Sequence, residues 1–121
     1  MFLATTNKAK RLLYMSFIQH VGVAELQRGN QELVVLLADL PAGIHVLADL
    51  GRLESMDVAC AGEFGKAMDL CDQHGVELVV RVIPDPTKDI GLNILSVFHY
   101  RHRVRVVSCE TMEEAARLLA L

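Results

Sequence analysis

The chain reads as an α/β domain: a five-stranded mixed, mainly parallel sheet covered by about four helices. Three observations predict it. Residues 44–50, IHVLADL, and 76–83, VELVVRVI, are near-continuous apolar runs, the pattern of strands buried on both faces. Between them, VACAGEFGKAMDLCDQHG (58–75) carries apolar residues at three- and four-residue spacing and ends on a glycine, as an amphipathic helix does. Helical and strand-like segments alternate through the remainder in the order β-β-α-β-α-β-α-β-α, which specifies helices packed on a mainly parallel sheet. A strand–helix–strand unit of this kind closes right-handed into a parallel pair. Its sites gather where the first strand ends and the helix begins, here residues 49–60.

Taken in order, FLATT (2–6) and RLLYMSFIQHV (11–21) are strands separated by the turn-like NKAK, plausible as an antiparallel hairpin. In the second, Leu13, Met15 and Phe17 alternate with Leu12, Tyr14, Ser16 and Ile18, so both faces are largely apolar and the strand is central or well covered. Residues 23–40 place Leu26, Leu33, Leu36, Leu37 and Leu40 on one stripe of a single helix, interrupted by Gly29-Asn30. An interior Gly costs a helix about 1 kcal/mol relative to Ala. Pro41-Ala42-Gly43 ends it. After the strand at 44–50, GRLESMD (51–57) reads as a polar connector, with Ser55 or Asp57 able to cap the next helix. That helix buries Cys60, Ala61, Phe64, Ala67, Met68 and Cys71 and leaves Glu63, Lys66, Asp69 and Asp72 off the stripe. The two prolines of PDPTKDI (84–90) break the chain into a loop. IGLNILSVFHY (90–100) is a short helix with Ile90, Ile94, Val97 and Phe98 as its apolar face, RVRVVSC (103–109) a strand, and Thr111 to Glu114 a capping box opening the last helix, which buries Ala115, Leu118 and Leu119.

Composition bounds the function. At 121 residues the chain is one domain, 52 % apolar and 22 % charged, outside the disordered class. No apolar run reaches the roughly 20 residues that span a bilayer. The lysines of MFLATTNKAK follow the short apolar piece, the reverse of a secretory signal, so a cytoplasmic protein is expected. Cys60, Cys71 and Cys109 are odd in number and widely spaced, which argues for buried thiols over a zinc site or disulfide framework. A net charge of −3 gives no global field for nucleic acid. The apolar surplus suggests a surface covered by a partner or a second copy of the chain.

The strand end ADL (48–50), the helix opening MDVACAG (56–62), the ELVVRVI strand and the TMEEAARLL helix together resemble the STAS family. These are the domains of anti-sigma-factor antagonists, stressosome proteins and sulfate-transporter tails. The resemblance spans nearly the whole chain and implies a non-enzymatic regulatory domain with a protein partner such as an anti-sigma factor or kinase, without a cofactor. In switchable members the second hydroxyl residue after the Asp opening this helix takes a phosphate, at a helix N-terminus suited to an anion. Here Asp57 is followed by Val58 and Ala59, and Cys60 replaces the family's Gly; neither Val58 nor Ala59 has an oxygen to phosphorylate.

The candidate partner surface is therefore Asp49, Ser55, Met56, Asp57, Ala59 and Cys60. Asp85, Thr87, Lys88 and Asp89 form a rim loop at the end of the next parallel strand. Cys60 in a first helical turn would have a lowered pKa, but no base lies near it in sequence. FHYRHRVRV (98–106) is the sharpest charge feature, with Arg101, His102, Arg103 and Arg105 as anion-binding candidates and His99 and His102 at i, i+3. Its plainer reading is a solvated helix end followed by an edge strand protected by arginine. Against the regulatory reading stand a small-molecule or lipid-binding module, needing a pocket between helices and sheet, and an enzyme acting on a nucleotide, for which no local catalytic constellation exists.

Overall fold

The computed structural model describes residues 1–121, Lys88 by its backbone alone. Its elements run β1 (Phe2–Asn7), β2 (Leu12–Val21), α1 (Val23–Ala38), β3 (His45–Met56), α2 (Cys60–His74), β4 (Leu78–Val82), a single 3-10 turn (Pro86–Lys88), α3 (Asp89–His99), β5 (Arg105–Cys109) and α4 (Met112–Leu118). The five strands lie in the order β1-β2-β3-β4-β5. β1 and β2 form the antiparallel hairpin, and every other neighbouring pair is parallel.

Period-2 alternation sorts the strand residues onto two faces. Leu13, Met15, Phe17, Val46, Ala48, Leu50 and Val79 join Leu26, Leu33 and Leu37 of α1 and Cys60 and Cys71 of α2 in the larger core. Leu12, Leu47, Leu78, Val80 and Val82 point the other way and are covered by Ala115 and Leu119 at α4. Helices α1, α2 and α3 thus share one face, and among the described residues α4 covers the other.

The interruption at Gly29-Asn30 has a packing reason. A Cβ on Gly29 would stand 2.5 Å from the Phe2 ring, so the glycine lets β1 close onto α1. Asn30 donates through Nδ2 to the carbonyl of Glu63 at 2.9 Å and to its carboxylate at 3.0 Å, joining α1 to α2.

Several expectations are corrected. Residues 51–56 are not a connector: they continue β3, pairing Arg52, Leu53, Ser55 and Met56 with Ile18, Gln19, His20 and Val21 across two register shifts. The long β2 needs backbone partners along its full length, and the irregular pairing accommodates a polar sequence without strict alternation. Neither Ser55 nor Asp57 caps α2 by its side chain. The cap position is Ala59, and it is the carbonyl of Asp57 that accepts from the Cys60 amide at 2.9 Å. Ala61 is exposed, whereas Glu63 and Asp72, expected on the solvent side of α2, are buried against α1 and the chain after α3. Leu118 is turned outward. The box at α4 is half made: Thr111 Oγ1 accepts from the Glu114 amide at 3.2 Å, while the two side chains meet each other at 3.5 Å. Gly75 ends α2 in the left-handed conformation at φ 86°, as its position implied.

Candidate functional site

The carboxyl ends of β3 and β4 open into a groove of about 620 Å³. Leu53 and Met56 come from the extended end of β3, Val58 from just before α2 and Phe64 from its first turns, Ile83 and Pro84 from beyond β4, and Leu92, Ile94 and Leu95 from α3. The register Asp49–Val82 carries the last residues of β3 beyond the end of β4, so residues 53–58 and 83–85 line one opening. Val58 stands 94 % exposed at its edge. The charged residues among the described lining are Glu54, Asp57 and Asp85, all acidic. By contrast, the void between the helices and the sheet is only about 40 Å³. Room for an apolar molecule therefore lies at the end of the sheet.

Of the residues singled out from the sequence, Ser55, Met56 and Asp57 line this groove, and Ala59 lies exposed beside it. Ser55 and Asp57 also meet one neighbour: the His20 ring bonds Ser55 Oγ at 2.8 Å and stands 3.5 Å from the Asp57 carboxylate. Three candidates are turned away from the surface. Asp49 accepts from the Gly51 amide at 2.9 Å and from the Tyr14 hydroxyl at 3.4 Å, which closes the backbone where β3 changes character. Cys60 is fully buried, with its thiol directed at the Val21 carbonyl at 3.6 Å. Burial, with Asp57 and Glu63 nearby, pushes that thiol up, opposite to the lowered value expected at a helix start. Asp89 is buried against Arg81.

In the rim loop, Asp85 accepts from the Thr87 amide at 3.0 Å and its hydroxyl at 2.8 Å, an Asx turn that shapes the chain into α3. The Lys88 side chain lies outside the described residues.

Sequence reasoning missed Arg81. Its guanidinium, 3 % exposed in the middle of β4, donates to Asn93 at 3.0 Å and Asp89 at 3.4 Å, to the Leu92 carbonyl, and to the Ser96 hydroxyl. Burial lowers its pKa, and the Asp89 carboxylate partly offsets that; a guanidinium keeps its proton regardless. The signal was present as Asp89, Asn93 and Ser96, spaced to share one side of α3 opposite a charge in an apolar strand. That side faces the sheet. The apolar residues expected to be buried, Ile90, Ile94, Val97 and Phe98, are 56–78 % exposed.

The basic stretch sits at the opposite end of the sheet. The amides of Arg101 and His102 both donate to Asp72 Oδ1 at 2.9 Å, and the His102 ring meets Oδ2 at 2.7 Å. His99 meets a different carboxylate, Asp69, at 2.8 Å, so the two rings do not converge. Arg103 turns the chain at φ 60°, and with Arg105, His45 and Glu77 it borders a second hollow of about 510 Å³. Among the described residues no cluster of three or more His, Cys, Asp or Glu side chains has metal-holding geometry, and no helix is long and apolar enough to cross a membrane.

No protein-family model and no curated protein sequence matches the chain. Solved structures do. The anti-sigma factor antagonist SpoIIAA in its unphosphorylated form superposes with a TM-score of 0.66 at 13 % identity, covering 100 % of both chains. An uncharacterized protein with a SpoIIAA-like fold from Shewanella loihica gives 0.69 at 14 %, covering 98 % of this chain and 92 % of that one. An anti-sigma factor antagonist from Mycobacterium paratuberculosis gives 0.59 at 15 %, covering 100 % and 94 %. The chain has the SpoIIAA-like fold that the sequence resemblance implied, and at these identities the likeness establishes architecture alone.

Proposed function

We propose that the chain is a non-enzymatic regulatory domain that binds a protein partner at the mouth of α2, without a phosphate switch there. The observation that carries the reading is the exposed opening beside α2, where Met56, Asp57 and Val58 face the same groove as Ile83, Pro84, Leu92 and Leu95. Its fold is shared with proteins described as anti-sigma factor antagonists, so a regulator such as an anti-sigma factor or a kinase, in the cytoplasm, is the partner class to seek. On the sequence resemblance Ala59 takes the position of the modified hydroxyl, so in this reading binding is set by partner concentration in place of phosphorylation. Capture from the native host, repeated with Asp57→Lys and Met56→Glu, tests it. Loss of the partner from both variants is expected; its retention by both overturns the reading.

A second reading rests on the size and lining of the groove. At about 620 Å³, with Leu53, Met56, Phe64, Ile83, Leu92 and Leu95 around it, it falls in the range of small-ligand sites. Native mass spectrometry of purified protein discriminates: a co-purifying apolar molecule favours this reading, and a bare chain mass favours the partner.

A further inference from the structure

The outer face of α3 is bare. Ile90, Ile94, Val97 and Phe98 recur at helical spacing, each more than half exposed, and α3 spends its inner side on Arg81. A row of four large apolar side chains on one helix is an association surface. The charges at its ends identify what it meets. Beside the first turn of α3 stand Glu54, Asp57 and Asp85; just beyond its last turn come the exposed Arg101, Arg103 and Arg105. These signs also suit the helix's own dipole. The dipole gives no account of the uncovered face between them.

We propose that this face pairs two copies of the chain, α3 against α3 in antiparallel array about a two-fold axis. Antiparallel pairing lays the acidic end of each copy against the basic end of the other and the apolar rows against each other. A two-fold contact requires such self-complementarity. Ile94, the sixth of the eleven residues of α3, then meets its own copy, and Ile90 meets Phe98. An anionic membrane would suit the arginine end and be repelled at the carboxylate end, so charge complementarity favours the second copy.

Ile94 and the acidic residues also border the groove of the partner reading, but the test contains only this chain, so its failure is distinguishable from the failure of that reading. Sedimentation of the purified protein should show the mass rising with concentration from 13.4 kDa toward twice that value, less so in high salt. Ile94→Asp or Phe98→Asp, at exposed positions that leave the circular dichroism unchanged, should weaken association about tenfold or more. Because the native thiols are buried, Ile94→Cys should form a disulfide with its own copy under mild oxidation, whereas Leu118→Cys, exposed on α4, should not. A monomer at every concentration overturns the proposal. Equal cross-linking of the two cysteine variants also overturns it, as does a monomer that co-sediments with phosphatidylserine vesicles.

Discussion

Arg81 reaches out of the middle strand of its neighbourhood to donate to Asn93 at 3.0 Å, and through that bond a buried charge holds a surface helix. Asp89 is the one fully buried residue of α3 among those described, and Leu92, half-buried against the core, seats the helix beside it. Arg81→Ala should cost about 3 kcal/mol, the scale of removing one partner from a buried ion pair. Urea denaturation measures that loss. Amide exchange should rise most across residues 89–99, and a uniform rise over the whole chain would contradict the tethering role.

Gly29 offers a substitution whose sign is set by one contact. Ala normally gains about 1 kcal/mol over Gly inside a helix. Here the added methyl would meet the Phe2 ring at 2.5 Å, and Phe2 is itself packed on Phe17 with ring centroids 5.0 Å apart. Gly29→Ala should therefore lower the melting temperature. Combining it with Phe2→Leu should recover part of the loss, which a thermal melt of the pair reads directly.

The thiols should be inert in the folded protein. Cys71 is 1 % exposed and burial pushes its pKa up to about 12; Cys60 and Cys109 are also raised, by burial first and by nearby carboxylates second. A thiol-reactive dye at neutral pH should label none at an appreciable rate, and all three in denaturant. Fast native labelling of Cys60 would reopen a chemical role for it.

Asp72 should shape the acid limb of stability. Burial alone would raise its carboxyl, but the amide and ring of His102 and the amide of Arg101 more than offset this, and its pKa is lowered. A carboxylate with a depressed folded pKa stabilises above its unfolded value, about 3.9. That contribution is lost as pH falls through the lower folded value. Stability should therefore fall below about pH 4 in the native chain. Asp72→Asn should flatten that limb and cost about 2 kcal/mol at neutral pH, since a charge-assisted acceptor for three bonds is weakened.

How far the sequence reached depends on which signal each element carried. The buried strands, the helix through Gly29, the stop at Gly75 and the Thr111 cap were all legible because each rests on a local pattern. The β3 extension was not. Its polar residues look like a connector, and what makes them a strand is the unpaired backbone of Ile18 to Val21, distant in sequence. The orientation of α3 failed for a related reason. Its helical periodicity is plain in the sequence, but the rule that the apolar side turns inward is reversed by the buried guanidinium of Arg81. For the site, Met56 and Asp57 were placed at the opening, while Asp49, Cys60 and Asp89 were drawn inward by partners that no local spacing reveals.

Among the described residues the second face of the sheet is covered by α4, with Ala115 and Leu119 lying over Leu47, Leu78 and Val80. During synthesis the other three helices emerge in time to shield their own side. Until residues 112–119 have cleared the ribosomal tunnel, the opposite layer of Leu and Val stays wet and sticky. A nascent chain paused before that point would be a substrate for chaperones, however complete its sheet.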